Sequence, residues 1–147
     1  MAAAPLQLKP VVGEAQCHAQ DEFGGWYINY REGQMDQPGS AVSCALDISI
    51  SSGGARDTFE MWNQMAGFET NQRILPKLQM EPLPFTWGHE LSSRILLENS
   101  QAIGNVVVAR EGSRTVWLEW RGGALLTVAD LKKYVVPSLN SMMAIER

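Results

Sequence analysis

Apolar and polar residues alternate along two segments in the first third of the chain. The alternation runs through "WYINYR" at 26–31 and through "AVSCALDISI" at 41–50. A period of two residues is typical of a β-strand with one buried face. Pro38 and Gly39 lie between the segments and suit the central positions of a type II turn. The pattern therefore predicts two antiparallel strands that form a hairpin.

The period then changes after the pair Gly53–Gly54. Phe59, Trp62 and Met65 recur every three residues, which is typical of one side of a helix. We expect this helix to cover 55–66 and to end near Gly67, because glycine often terminates helices.

The second half of the chain predicts three more strands and a final helix. The strands are "SRILLEN" (93–99), "NVVVAR" (105–110) and "TVWLEW" (115–120), with a tight turn at "EGSR" between the last two. Thr127 and Asp130 have the spacing of a helix start, so a C-terminal helix is expected after Thr127. Pro137 lies inside that helix and should kink or split it.

These elements predict an α+β fold, with one domain at 24–147 and an extended arm at 1–23 that has at most a short edge strand at 6–12. Short turns between neighbouring strands favour a mainly antiparallel sheet of about five or six strands. A central helix and a C-terminal helix should pack on it. Trp117 and Trp120 would point to opposite faces, so either both faces are covered or one aromatic side chain is left for a partner.

The charge balance argues against some partners. The 147 residues contain 12 Lys and Arg against 16 Asp and Glu, which gives a net charge of −4. No cluster of basic residues could neutralise a row of phosphates, so nucleic acid is not expected as a partner. No apolar run approaches the roughly 20 residues of a transmembrane helix. A membrane tether through a segment before residue 1 stays open.

The two cysteines and the N-terminus bear on the cellular compartment. Cys17 and Cys44 lack the spacing of a zinc or redox site, and we expect them to form a disulfide, with two buried thiols as the alternative. The start "MAAAP" has small residues like those that follow a signal-peptidase site, although it also fits an ordinary N-terminus. Together these features predict a periplasmic or secreted protein.

Motifs for catalysis and for cofactors are not apparent. The sequence contains no G-x-S-x-G, H-E-x-x-H or phosphate-loop pattern, and the acidic residues lack the spacing of a calcium loop. We therefore predict no catalytic residue, no metal and no cofactor. An enzyme without a readable motif stays open, and it would need His18 or His89 to meet carboxylates from distant parts of the chain.

The segment "MEPLPFTWGHE" is the most informative candidate for binding. Its two prolines argue against a central strand or a regular helix. This apolar loop either folds back onto the core or presents aromatic anchors to a partner. In the second case the predicted contact residues are Glu81, Leu83, Phe85, Trp87, His89 and Glu90.

The sequence as a whole favours a non-enzymatic protein-binding domain, most simply an inhibitor or immunity protein that occludes the active site of a toxin or enzyme. In that hypothesis Phe85 and Trp87 enter the target cleft, and acidic groups steer association with basic target residues. A carrier of a small ligand or lipid is the alternative, and it requires an apolar pocket.

Overall fold

The structure is a computed structural model that describes residues 16–20, 25–32, 41–72 and 78–144. The described residues form seven strands and two helices. In chain order these are β1 (Gln16–Gln20), β2 (Gly25–Glu32), β3 (Ala41–Ile48), α1 (Ser52–Gln72), β4 (Leu78–Pro82), β5 (Glu90–Glu98), β6 (Gln101–Glu111), β7 (Arg114–Arg121) and α2 (Val128–Met143).

The strands form one sheet in the order β1-β2-β3-β7-β6-β5-β4, and every neighbouring pair is antiparallel. The chain lays down β1 to β3 side by side, crosses the sheet through α1, and starts again at the far edge with β4. It returns through β5 and β6 to β7, which pairs with β3. The predicted α+β fold with a mainly antiparallel sheet is confirmed.

Two edge strands were not predicted. β1 lies inside the expected N-terminal arm, and the one strand predicted in that arm, at 6–12, is outside the described residues. β4 takes up part of the segment predicted as a loop. Pro82 ends β4 at the sheet edge, where a missing backbone N–H leaves no ladder partner unsatisfied.

The two helices cover opposite faces of the sheet. Along β7, Val116, Leu118 and Trp120 face α2, whereas Trp117 lies on the α1 side. Trp120 is fully buried, and its indole N–H donates to the carbonyl oxygen of Gly123 at 2.9 Å. Trp117 is partly buried. Of the two alternatives predicted for these rings, coverage of both faces is the one observed.

Helix α1 is longer than predicted at both ends. It begins after Ser51, whose hydroxyl accepts a hydrogen bond from the backbone N–H of Gly54 at 3.1 Å and so caps the helix. Gly67 does not end it. Phe59, Trp62 and Ala66 face the sheet. Met65, which the spacing placed on the same side as Phe59 and Trp62, is instead 43% exposed, since a 3.6-residue period places 59, 62 and 66 on one side.

Helix α2 starts as predicted and continues through its proline. The Thr127 side chain accepts from the N–H of Asp130 at 3.1 Å. Of the two predicted effects of Pro137, a kink or a split, the split does not occur, because one helix continues to Met143. Pro137 is exposed, and burial of the inward residues supports both halves of the helix. Those residues are Leu131, Val135, Ser138, Leu139 and Met142.

A buried asparagine holds the connection that leads into α2. Asn105 in β6 is fully buried, and its Nδ2 donates to the carbonyl oxygen of Leu125 at 2.9 Å. Its Oδ1 accepts from the N–H of Leu125 at 2.7 Å. One side chain thus satisfies both backbone groups of a buried residue outside regular structure, which would otherwise lack partners.

The predicted disulfide between Cys17 and Cys44 is wrong. Cys17 is paired in register with Ile28, and Ile28 with Leu46, so β2 lies between the two cysteines. Neighbouring strands are about 4.8 Å apart, so their backbones are separated by roughly 10 Å, beyond the limit of about 7 Å for a disulfide. Cys44 is a buried thiol, and burial raises its pKa to about 11. The inference of export therefore loses its disulfide support.

Candidate functional site

The apolar segment after β4 folds back onto the core. The N–H of Leu83 donates to the carbonyl oxygen of Ser93 at 2.9 Å, which extends the β4–β5 pairing by one residue. Leu83, Phe85 and Trp87 are then partly buried against the cluster on the α2 side. Pro84 and Thr86, which alternate with them, are exposed. We call residues 82–89 the ridge.

The far end of the ridge is fixed by polar contacts. Gly88 has a φ of +60°, and a Cβ at this position would lie 2.6 Å from the carbonyl oxygen of Arg110. The next residue, His89, donates its backbone N–H to that oxygen at 2.9 Å. Its Nδ1 accepts from the N–H of Gly112 at 2.8 Å. Glycine is therefore required at 88, and the imidazole of His89 ties the ridge to the β6–β7 turn.

The six predicted contact residues do not form one cluster. Leu83, Phe85 and Trp87 lie together on the α2 side, and Glu81 is exposed in β4. Glu90 is on the opposite side of the sheet. The two histidines are also far apart. His18 lies in β1 and His89 directly precedes β5, and four strands separate β1 from β5 in the sheet.

Glu90 belongs to a small group of charges on the α1 side. Its Oε2 accepts from Nε of Arg110 at 2.7 Å, across the β5–β6 ladder. Its Oε1 lies 3.8 Å from Nε of Arg56, which is also 3.6 Å from Glu60. The side chain of Arg56 is 65% exposed, so its contacts contribute little to stability. Arg110 supplies the main counter-charge for Glu90.

A groove of about 480 Å³ lies beside this group, between α1, β5 and the start of the ridge. Its lining combines apolar and polar side chains. The apolar lining residues are Phe59, Pro82, Pro84 and Leu91, and the polar ones are Asn63, Glu90, Ser92, Ser93 and Arg94. Ligand sites combine apolar walls that supply contact area with a few polar groups that fix orientation, and this groove, which is open to solvent, offers both kinds of group.

Arg94 is the chemically distinctive residue of the groove. It faces α1 from β5, and its Nη2 donates to Oδ1 of Asn63 at 2.7 Å. Its Nη1 is shut off from solvent and has no hydrogen-bond acceptor among the described residues. No carboxylate in that part of the chain lies within ion-pair distance of it. Burial lowers the pKa of Arg94.

An unsatisfied donor of this kind is costly. Leaving a buried polar group without a partner costs about 1–3 kcal/mol, and more when the group is charged. Neutral Asn63 supplies a hydrogen bond but no counter-charge. Arg94 therefore provides a cationic binding group that the described part of the protein does not neutralise.

Sequence reasoning missed Arg94 and Asn63. The available signal was the positive charge directly before the apolar run "ILL" at 95–97, because a charged residue on a covered strand face needs a partner. Asn63 gave no signal, since its contact with Arg94 spans 31 residues and depends on how α1 crosses the sheet.

Two further searches of the described residues give negative results. No group of three or more His, Cys, Asp or Glu side chains in those residues is arranged to hold a metal ion. Within the same residues, no helix is both long and apolar enough to span a membrane.

Comparison of the chain with protein-family models, curated proteins and solved structures finds no match. Function is therefore inferred from the geometry of the ridge and the groove.

Proposed function

We propose that this chain is a non-enzymatic binding domain that occludes another protein, as an inhibitor or immunity protein does. The observation that carries the proposal is a fixed, partly aromatic ridge at the sheet edge, with a polar groove directly beside it. The ridge backbone is held at Leu83 and at His89. A surface that is already ordered loses less entropy when it binds.

The structure changes the mechanism expected from the sequence. Phe85 and Trp87 are partly buried against the core, so they anchor the ridge and offer only their outer parts to a partner. The exposed ridge residues Pro84, Thr86 and His89 make the first contacts. The groove then receives one side chain of the partner, in the manner of an anchor residue in a pocket.

Affinity capture with surface variants tests this proposal. The purified chain is used to capture proteins from fractions of its source cells. Thr86→Arg adds a bulky charge to the exposed ridge, whereas Gln101→Arg adds the same side chain at the exposed start of β6, beside the end of β5 that is farther from the ridge. We expect the wild type and Gln101→Arg to retain one stoichiometric protein that Thr86→Arg loses, and we expect excess chain to inhibit the activity of that protein.

Circular dichroism should show that both variants are folded. Equal capture by Thr86→Arg, or no stoichiometric partner in any fraction, would contradict the proposal. The periplasmic or secreted location is a separate proposal, and immunoblots of cell fractions would test it.

The size of the groove favours a second candidate, a carrier of a small ligand. A volume of about 480 Å³ lies within the usual range of small-molecule sites, which is roughly 300–1,000 Å³. Native mass spectrometry of freshly purified protein should then detect a bound small molecule that organic extraction releases. A mass equal to that of the bare chain in every preparation would argue against a carrier.

A further inference from the structure

We infer that the groove between α1 and β5 is a binding site for a carboxylate, which pairs with Arg94 while the apolar body of the ligand lies against Phe59, Pro82 and Pro84. This inference does not depend on the protein partner proposed above. The same carboxylate can belong to a free small acid or to the C-terminus of a peptide.

The charges around the groove favour an anion. Arg56 and Arg110 surround Glu90, and Glu60 is close to Arg56, so these four residues are balanced. Arg94 is left as the excess positive charge at the groove. Glu90 also lines the groove, but Arg110 and Arg56 already pair with it, so it offers little attraction to a ligand cation.

The hydrogen-bonding geometry favours a carboxylate in particular. A guanidinium is a planar fork of donors that matches the two oxygens of a carboxylate. Asn63 uses one nitrogen of Arg94, at 2.7 Å, and Nη1 lacks an acceptor among the described residues. A carboxylate beside Arg94 in the groove would supply the missing counter-charge.

The lining indicates the rest of the ligand. Phe59, Pro82 and Pro84 offer an aromatic ring and two proline rings beside the guanidinium. An aromatic or branched apolar group next to the carboxylate can therefore bury surface while its charge reaches Arg94. N-acetyl-phenylalanine has this chemistry, and its amide differs from it only at the charged end.

Amide-resolved NMR titrations of the full chain with these two probes test the inference. We expect N-acetyl-phenylalanine to shift the resonances of Asn63, Ser92 and Arg94 at millimolar concentrations. The amide should bind at least about tenfold more weakly, since a hydrogen bond to a charged group contributes about that factor or more.

Three variants make the test specific. Arg94→Met keeps the length of the side chain but removes its charge, and it should weaken binding about tenfold or more. Arg56→Met removes an equal charge from an exposed side chain near the same groove and should change binding less than about twofold. Asn63→Asp places a carboxylate beside Arg94 inside the protein, so it should abolish probe binding and raise the melting temperature.

A pentapeptide that ends in phenylalanine distinguishes the two sources. Tighter binding of its free-acid form than of N-acetyl-phenylalanine would indicate a protein C-terminus, whereas exclusion of the peptide would indicate a small acid.

The inference is overturned if the acid and amide bind equally, if Arg94→Met binds like the wild type, or if neither probe shifts groove resonances. Asn63→Asp keeps the test decisive if Arg94→Met does not fold.

Discussion

Replacement of Asn105 by alanine should remove much of the stability of the fold. The change deletes two hydrogen bonds, at 2.9 and 2.7 Å, to the backbone of buried Leu125. An unsatisfied buried group costs about 1–3 kcal/mol, so the two backbone groups together cost about 2–6 kcal/mol. Because a typical domain has only about 5–15 kcal/mol of stability, the variant should be close to unfolding.

Urea denaturation followed by tryptophan fluorescence measures this loss directly. The exposed residue Asn140 on α2 provides the control, since Asn140→Ala removes the same amide group from a solvated position and should change stability by less than about 0.5 kcal/mol. A loss below about 1 kcal/mol for Asn105→Ala would refute the reasoning, because it would mean that water or a rearranged loop satisfies Leu125.

Asn105→Asp gives an independent check through pH. The ionised carboxylate can still accept from the N–H of Leu125, but it has no proton to donate to the carbonyl oxygen. Burial of that charge raises the pKa of the introduced carboxyl in the folded state, so its penalty grows as pH rises above the ordinary value of about 4. Relative to wild type, the variant should be destabilised at neutral pH and should recover as the pH falls.

Three further perturbations follow from the structure. The pKa of Cys44 is about 11 when folded and about 9 when unfolded, so the free energy of unfolding should fall by about 2 kcal/mol between pH 9 and pH 11, and a comparison with Cys44→Ala isolates this slope. Gly104→Ala would drive a Cβ into the carbonyl group of Trp120, so thermal melts should show a loss of at least about 2 kcal/mol, and a normal melting temperature would contradict the close approach of these strands. Gly88→Ala combines a φ of +60° with a Cβ 2.6 Å from the Arg110 carbonyl oxygen, so limited proteolysis should cut the ridge faster than in wild type, and unchanged protection would count against a fixed ridge.

Local sequence patterns predicted those elements that are determined by residues close together in the sequence. The alternation at 41–50 and 115–120 reports the apolar face that each strand turns toward α2, and the start of α2 follows from the Thr127 cap. The edge strand β4 escaped prediction because prolines argue against a strand in general but not against one at a sheet edge.

The order of the strands and the packing of α1 on the sheet determine the features that local patterns could not predict. The error on Cys17 and Cys44 arose because both fit extended segments, while only the position of β2 shows that they are too far apart. The same limit applies to the groove. One wall of the groove comes from α1 and the other from β5. These walls are adjacent only because α1 crosses the sheet, and no residue spacing in the sequence predicts that contact.

The pairing of β3 with β7 has a consequence for how the chain acquires its structure. Ala41 pairs with Arg121 and Ile48 with Arg114, so the centre of the sheet closes across a long intervening stretch of sequence. Folding slows when contacts join distant residues, because the loop must close before they form. During synthesis, the edge of β3 that pairs with β7 stays unpaired until β7 has left the ribosome. A nascent chain stopped before residue 114 would thus expose the edge that the finished protein buries at its centre.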